Sequence, residues 1–252
     1  MTEEADVARL VWSSLLPIGF RLAANEVDSL AEPDPFFTMV PRQSYLPLIL
    51  DRVIQQLKPK TTAKDVWLDC DGQPLRWHLP IGVLFDLFGE KQGIPWILNI
   101  HFRDFPEDIL VRCQSRAAVE AILMSALKES DALKNKPPVM AQLQKRDHQE
   151  LFRGLCNNRF EQFWTINRKL VSGEFRHVPT RVHFRSTPHA QKLVSSSATL
   201  GEVAESVIGS DWRQWRLVVQ GVEPPPETPM TWLGRHLAHC DNFVHVIARE
   251  NH

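Results

Sequence analysis

The sequence lacks an excess of charge of either sign. Its 29 basic and 30 acidic residues leave a formal net charge of -1. Such a balance provides no broad electrostatic attraction to nucleic acid, although it is compatible with a local basic patch. We therefore expect protein partners rather than DNA or RNA.

Long apolar runs are also absent. No stretch is uniformly apolar over the ~20 residues that a bilayer-spanning helix needs. The N-terminal segment MTEEADVARLVW is acidic where a secretory signal is basic, and the sequence contains no N-x-S/T sequon. These absences predict a cytoplasmic protein whose contact with membranes is peripheral.

Cysteine is scarce, and no C-x-x-C pair occurs. The four cysteines are Cys70, Cys113, Cys156 and Cys240. This usage predicts free thiols in a reducing compartment. Cys70 stands between Asp69 and Asp71, whose carboxylates raise the pKa of a neighbouring thiol, so a buried strand thiol is favoured over a nucleophile.

The short motifs of common enzyme classes are missing as well. There is no GxxxxGKS/T or GxGxxG loop, no HExxH and no GxSxG. His236, His239 and Cys240 have a spacing that suits a metal, but no second closely spaced pair completes four ligands. We interpret them as a helix end with solvent-facing histidines, and we expect no catalytic residue, metal or cofactor.

The N-terminal part has the element order of a β-grasp, the ubiquitin-like fold. A short helix at residues 4–13 precedes it, and a lysine-rich loop from Lys58 to Lys64 lies within it. Apolar alternation and spacing predict strands at 15–23, 36–40, 66–70, 75–77 and 98–102, with helices after Ser44 and at 81–88. The order is strand, strand, helix, strand, strand, short helix, strand.

The C-terminal part repeats much of this order. Alternation predicts strands at 178–184, 192–194, 215–220 and 243–247. Thr199 and Glu202 form a capping box for one helix, and Thr228 caps another that has Pro229 at its first position. The repeated order, without visible sequence similarity, indicates a duplicated architecture.

The segment between these parts is rich in helical patterns. Val119 to Leu127 has an apolar stripe at helical spacing, and Pro137-Pro138 stops that helix. A second helix is predicted from Val139, and a third behind a capping box of Asn158 and Glu161. The predicted fold class is α+β, with two ubiquitin-like domains flanking a helix-rich middle domain. The predicted boundaries are 1–14 for an N-terminal helix, 15–104 for the first ubiquitin-like domain, 105–172 for the helix-rich domain and 173–252 for the second ubiquitin-like domain.

Basic side chains follow a strand edge in the C-terminal part. The edge consists of Arg176, Arg181, His183, Arg185 and Lys192. It is either a solvated sheet face that discourages edge pairing, or a docking patch for an acidic partner or lipid headgroups. The sequence leaves both interpretations open.

The N-terminal helix carries candidate contacts for a partner. Trp12 is either a core residue or an anchor, because aromatic side chains dominate the energetics of interfaces. Leu10 and Val11 are apolar residues of the same helix, and they suit recognition of a partner helix in a groove.

Six segments resemble the autophagy protein 5 family. They are VPRQSYLPLILDRV, PLRWHLPIGVLFDLF, PWILNIHF, LKESDALKNK, RFEQFWTINRKL and TPMTWLGRHLAHCDNFVHV, in this order along nearly the whole chain. The resemblance implies two ubiquitin-like domains around a helix-rich middle. The segment between His183 and Thr199 and the C-terminal tail are short for the family.

The resemblance also implies a role as a scaffold rather than an enzyme. The family is the covalent acceptor of autophagy protein 12, a ubiquitin-like modifier, and the conjugate binds autophagy protein 16. This assembly acts like a ligase that promotes transfer of autophagy protein 8 to phosphatidylethanolamine on the preautophagosomal membrane. Autophagy proteins 10 and 3 are the implied carrier enzymes.

The family's acceptor motif, Lys-Glu-x-Asp-Ala-Leu-Lys, matches residues 128–134. The resemblance therefore makes Lys128 the expected acceptor of an isopeptide bond. Asp131, three residues further on, is within helical reach of the amine and is a candidate for orienting it. Lys134 and Lys136 are interpreted as lysines of an ordinary solvated helix face.

Two other classes of protein compete with the covalent acceptor. One is a ubiquitin-like adaptor that binds partners without covalent attachment, and the other is an enzyme that uses Cys156 or Cys240. An adduct that survives a thiol reductant would distinguish the acceptor from both, because an isopeptide bond survives such treatment and a thioester does not.

Overall fold

The computed structural model describes residues 3–27, 34–57, 65–113 and 115–250. The predicted loop from Lys58 to Lys64 lies outside them. The chain divides into two compact units, one of residues 15–120 and one of residues 1–14 together with 121–252. We call these the first unit and the second unit and describe each by itself.

The described residues form eight α-helices and nine strands. The helices are α1 (Glu3–Trp12), α2 (Pro47–Leu57), α3 (Ile81–Phe88), α4 (Arg116–Lys134), α5 (Lys145–Cys156), α6 (Phe160–Val171), α7 (Leu200–Ile208) and α8 (Met230–His236). The strands are β1 (Leu15–Leu22), β2 (Phe36–Pro41), β3 (Trp67–Cys70), β4 (Gln73–Pro74), β5 (Trp96–His101), β6 (His177–His183), β7 (Ala190–Ser195), β8 (Trp215–Val218) and β9 (Val244–Glu250). Within the described residues, no helix is both long and apolar enough to cross a membrane.

The first unit is built on a five-stranded sheet in the order β2-β1-β5-β3-β4. β1 is antiparallel to β2 and parallel to β5, and β3 is antiparallel to β5. Ile18 and Leu98 are fully buried on one face of this sheet. α2 contacts β1 and β2, and Phe85 of α3 packs edge-on against Trp96 of β5 at 5.5 Å between ring centroids.

The second unit contains a four-stranded sheet in the order β7-β6-β9-β8. β6 is antiparallel to β7 and parallel to β9, and β8 is antiparallel to β9. This pairing is the same as in the first unit, where the first strand also lies between the second and the last. The predicted fold class, with two ubiquitin-like domains and a helix-rich middle, is confirmed.

The start of α7 and the packing of α5 on α6 both follow local sequence signals. Thr199 and Glu202 form the predicted capping box of α7, with Glu202 N donating to Thr199 Oγ1 and Thr199 N donating to Glu202 Oε2. Between α5 and α6, Gly154 lies so close to Phe163 that a Cβ atom at this glycine would be 2.7 Å from the Phe163 nitrogen. The two helices therefore approach closely because residue 154 has no side chain.

Four local predictions are wrong. The strand predicted at 75–77 lies instead at Gln73–Pro74, because the chain turns at Arg76, whose carbonyl accepts from the Leu79 nitrogen. The helix predicted from Val139 is only a 3-10 turn at Met140–Gln142, and α5 begins at Lys145. Neither α6 nor α8 has the predicted side-chain cap, since their N-caps are Arg159 and Pro229.

α1 belongs to the second unit although it precedes the first unit in the chain. Trp12 packs on Phe163 of α6 at 4.8 Å between ring centroids and edge-on against Phe160. Val7 and Val11 pack against the buried core of the second sheet. Burial of apolar side chains therefore attaches this helix to its unit.

Candidate functional site

Lys128 lies in the long helix α4 with its side chain exposed. The apolar stripe of this helix faces inward, and Leu123 and Leu127 are fully buried. Successive helical residues are turned by about 100°, so Lys128 projects beside the buried stripe. The structure thus presents this amine to solvent from a helix that is held on one side.

The structure corrects the part predicted for Asp131. This carboxylate is fully buried, with Oδ2 accepting from the Met140 nitrogen at 2.7 Å and Oδ1 accepting from Asn135 Nδ2 at 2.7 Å. Asn135 Nδ2 also donates to the Leu170 carbonyl oxygen at 3.0 Å. Asp131 therefore ties the end of α4 to the following turn instead of orienting the amine of Lys128.

Lys134 is buried rather than solvated, with 1% of its surface exposed. Its Nζ lies 5.4 Å from the ring centroid of Phe175 and has no hydrogen-bond partner among the described residues. Burial lowers the pKa of Lys134 to about 7, although the charges of Asp131 and Asp241 raise it in part. Lys136 is exposed. Of the two neighbouring lysines, only Lys136 can compete with Lys128 for a reagent in solution.

The residue after Lys128 is engaged by the neighbouring sheet. Glu129 Oε2 accepts from Arg181 Nη2 at 3.0 Å, and Glu129 Oε1 accepts from Gln191 Nε2 at 2.6 Å. Arg181 Nε donates in turn to Gln191 Oε1 at 2.9 Å. Arg181 and Gln191 are directly paired across β6 and β7. These three side chains form a closed ring of hydrogen bonds, which we call the Glu129 ring.

A buried polar chain lies beneath the Glu129 ring. Arg181 Nη1 is 3.8 Å from Asp241 Oδ2, and His245 Nε2 is 3.0 Å from the same oxygen. His245 Nδ1 and His183 Nε2 are 2.8 Å apart. Because a carboxylate only accepts, His245 donates from Nε2 to Asp241.

Two of these groups have strongly shifted pKa values. Burial alone would raise the pKa of Asp241, but the charge and hydrogen bond of His245 and the charge of Arg181 lower it to about 2. Burial, together with the neighbouring charges of His245 and Arg181, lowers the pKa of His183 well below its ordinary value. The ionised Asp241 and the neutral His183 are the forms present at neutral pH.

Three family models match this chain. They describe the UblA domain, the alpha-helical bundle region and the UblB domain of autophagy protein ATG5, at residues 11–102, 116–173 and 177–248. The chain belongs to the autophagy protein 5 family. The resemblance seen in its sequence is thereby confirmed, and membership of this family supports a role in autophagy.

Relatives cover almost the full length of the chain. Autophagy protein 5 of Drosophila melanogaster is 36% identical over 263 residues, which cover 98% of this chain and 97% of the relative. Autophagy-related protein 5 of Caenorhabditis elegans is 31% identical over 96% of this chain and 97% of its own length. The crystal structure of Kluyveromyces marxianus Atg5 has the same fold, with a TM-score of 0.87 at 19% identity over 97% of this chain and 100% of the yeast chain.

The basic residues predicted to line one strand edge do not lie together on an edge in the structure. β6 is an inner strand between β7 and β9, so Arg181 and His183 are not on an edge. Arg181 is largely covered in the Glu129 ring, and His183 is buried. Arg185 and Lys192 are exposed, although Lys192 Nζ donates to the Ser206 carbonyl oxygen. Of the predicted patch, Arg176, Arg185 and Lys192 have exposed side chains.

The three candidate anchors on α1 have different surroundings. Trp12 is buried against α6, so its indole is part of the core and not an exposed anchor. Val11 is half-buried against the core of the second sheet. Leu10, in contrast, is 68% exposed. Among the side chains described on α1, only Leu10 offers an exposed apolar surface of this size to a partner.

The cysteines and the C-terminal histidines, the remaining candidates for chemistry, are buried or partly buried. Cys70 and Cys240 are buried, and burial raises the pKa of the Cys113 thiol. His236 and His239 are buried, which corrects the prediction that they face solvent, because α8 ends at His236 and the chain folds inward. Within the described residues, no three His, Cys, Asp or Glu side chains group closely enough to hold a metal ion.

Sequence reasoning missed the Glu129 ring and the buried lysine. A signal for the lysine exists, because Ser130, Asp131 and Lys134 lie three, four and seven residues after the buried Leu127 and continue its stripe. Because Lys134 is charged, this side of the helix was interpreted as a solvated face. The Glu129 ring has no comparable local signal, since Arg181 and Gln191 are more than fifty residues away in sequence.

Proposed function

We propose that this protein is covalently conjugated through Lys128 to the ubiquitin-like modifier autophagy protein 12. The conjugate, together with autophagy protein 16, acts like a ligase and promotes lipidation of autophagy protein 8 with phosphatidylethanolamine during autophagosome formation. The protein itself is a scaffold that supplies the acceptor amine. It works in the cytoplasm and at the periphery of the phagophore membrane.

The observation that supports this proposal is the contrast between Lys128 and its surroundings. Leu127, Ser130 and Asp131 are buried around it, whereas the side chain of Lys128 is exposed. Lys134, the other lysine of the family motif, is enclosed. A carrier enzyme that approaches this turn therefore meets one amine in a fixed place, which is what an acceptor needs.

The chemistry is transfer of an acyl group from sulfur to nitrogen. The amine of Lys128 attacks the thioester carbonyl that joins the modifier to its carrier, autophagy protein 10. The carbon–nitrogen bond forms, the carbon–sulfur bond breaks, the carrier leaves as a thiolate, and the amine loses a proton. Autophagy protein 3 is then engaged through the finished conjugate.

The decisive test is Lys128→Arg in a reaction that contains the modifier and its conjugating enzymes. Arginine keeps the charge and the helix propensity, so stability changes by only a few tenths of a kcal/mol. Its guanidinium stays protonated and cannot attack a thioester. We expect the wild-type chain to gain one modifier in a reductant-resistant adduct, and the variant to gain none.

Lys136→Arg is the matched control, because Lys136 is exposed near the end of the same segment. It should conjugate as the wild type does. Lys134→Arg is not a suitable control, since it would place a larger, permanently charged group in a buried site. A reductant-resistant adduct on Lys128→Arg would refute the acceptor assignment, and no adduct on the wild type would favour a non-covalent adaptor.

A further inference from the structure

The Glu129 ring connects α4 to the sheet beside the proposed acceptor. Glu129 bonds to Arg181 and Gln191, and these two bond to each other, so each member of the ring has two partners in it. The Arg181 guanidinium is fixed further by its position 3.7 Å above the ring centroid of Phe243. Its Nη1 is also 3.8 Å from the buried carboxylate of Asp241. The Glu129 carboxylate of α4 therefore binds a guanidinium group that is itself held in place by other contacts.

The ring completes the fixation of one helical turn. Leu127 is held by burial, and Ser130 Oγ donates to the Leu127 carbonyl oxygen at 3.0 Å. Asp131 is bonded to the nitrogen of Met140. Glu129 lies about 100° around the helix from Lys128, on a side of the turn that burial does not fix. Without the ring, the exposed side of this turn would lack a tertiary contact at Glu129.

The ring also determines where the negative charge of Glu129 lies. Both carboxylate oxygens are occupied by donors from β6 and β7. A glutamate released from these donors could turn toward a neighbouring ammonium group, since surface carboxylates and lysines attract each other. The same three contacts therefore hold the backbone of the turn and keep a competing anion away from the amine.

We propose that Glu129, Arg181 and Gln191 are positioning residues for transfer of the modifier to Lys128. This inference rests on the proposed function of Lys128 as the acceptor. The ring does not touch the reacting atoms. It fixes the turn of α4 that carries the amine, so that a carrier docked on this surface finds the nitrogen in line with its thioester.

Single-turnover transfer from the carrier thioester, followed over a range of carrier concentrations, tests this role. Glu129→Ala removes both bonds of the ring to α4 and should lower the maximal rate about tenfold, because misplacement by about 1 Å can cost up to a hundredfold. The carrier concentration at half-maximal rate should change by less than about twofold, because a positioning residue affects the rate of transfer and not the binding of the carrier. Glu129→Gln keeps the length and one acceptor, and should recover part of the rate.

A second variant shows whether the ring acts as a unit. Gln191 is exposed on the edge strand β7, so Gln191→Ala leaves the core unchanged. It should give a smaller loss of maximal rate than Glu129→Ala. The double variant should be no slower than Glu129→Ala alone, because residues of one network are not additive. Glu205→Ala, at an exposed glutamate of α7, is the matched control and should transfer at the wild-type rate.

Chemical labelling separates positioning from a change in the amine itself. Acetylation of Lys128 by a small N-hydroxysuccinimide ester, read by mass spectrometry, should proceed equally in wild type and Glu129→Ala, because a small reagent needs no docking geometry. A parallel loss of labelling and transfer would overturn the positioning role.

Further outcomes would also overturn it. One is an unchanged maximal rate in folded Glu129→Ala and Gln191→Ala. The other is an unchanged maximal rate together with a higher carrier concentration at half-maximal rate, which would indicate direct contact with the carrier. If the wild type forms no adduct, the proposed function fails instead. The two failures are therefore distinguishable.

Discussion

At the scale of single residues, Lys134 shows the cost of a charge in the interior. Nearly all of its surface is buried, and its nearest compensation comes from the ring of Phe175 and the charges of Asp131 and Asp241. A lysine whose pKa falls to about 7 in the folded state binds its proton more weakly than in the unfolded chain, where the pKa is about 10.4. Its ammonium form therefore opposes folding at and below neutral pH.

The sign of this effect gives a prediction for Lys134→Met. Between pH 7 and about 10.4 the unfolded wild type binds more protons than the folded one, so the contribution of Lys134 to stability improves as the pH rises. Methionine has a similar length and no charge. At pH 6 to 7 the variant should be more stable, by about 5 kcal/mol at most for a shift of this size, and the difference should shrink toward pH 10.

Urea unfolding of both proteins at several pH values measures this difference. Asn135, a half-buried neighbour without a titrating group, provides the control through Asn135→Ala, whose effect on stability should be nearly independent of pH in this range. A difference between wild type and Lys134→Met that stays constant from pH 6 to pH 10 would contradict a lowered pKa for Lys134.

At the scale of elements, α1 combines a buried face with one exposed apolar residue. Trp12 and Val11 face α6 and the second sheet, whereas Leu10 faces outward. Isolated apolar residues are common on protein surfaces. Among the described side chains of α1, however, Leu10 is the most exposed apolar one, so we expect it to contact the proposed partner, autophagy protein 16.

Two truncations within α1 separate attachment from recognition. Trp12→Ala should lower the free energy of unfolding by about 3 kcal/mol, because it removes a buried aromatic side chain. Leu10→Ala should leave stability within about 0.5 kcal/mol and weaken binding of autophagy protein 16. Thermal unfolding and calorimetric titration with the partner measure the two effects. Unchanged affinity of Leu10→Ala would remove this residue from the interface.

At the scale of the whole molecule, the chain carries two ubiquitin-like sheets with the same strand pairing, and three of its cysteines lie in settings that disfavour a thiolate. Cys70 accepts a hydrogen bond from Trp96 Nε1 at 3.2 Å, and Cys240 is buried. Cys113 has a raised pKa because it is partly buried, which disfavours the thiolate. The thiols that carry the modifier are therefore expected on the carrier enzymes.

The double variant Cys113→Ser and Cys156→Ser tests this expectation, because these two thiols are the partly accessible ones. It should form the reductant-resistant adduct at the wild-type rate. Cys70→Ala and Cys240→Ala are preferable for the buried positions, since a serine would bury a hydroxyl group there. Loss of adduct in any folded cysteine variant would show that a thiol of this chain takes part in transfer.

Local patterns predicted the elements that depend on neighbours in sequence. The alternation of β6, the apolar stripes of α2 and α7, and the capping box of Thr199 and Glu202 were all correct, because each is decided within one or two turns of chain. The short 3-10 turn at Met140–Gln142 was not predicted. The Met140 nitrogen at its start donates to the buried carboxylate of Asp131, nine residues earlier, and a local pattern does not show such a contact.

The sequence alone determined most of the order of the elements and the duplicated β-grasp, and its family motif supplied the proposal of Lys128 as the acceptor. Tertiary structure decided the environment of that lysine. Whether Asp131 and Lys134 face water depends on groups such as Met140 and Phe175 that lie outside their helix. Periodicity records which face of a helix is covered, but it does not record which distant groups cover it, and those groups set the charge, exposure and rigidity of the site.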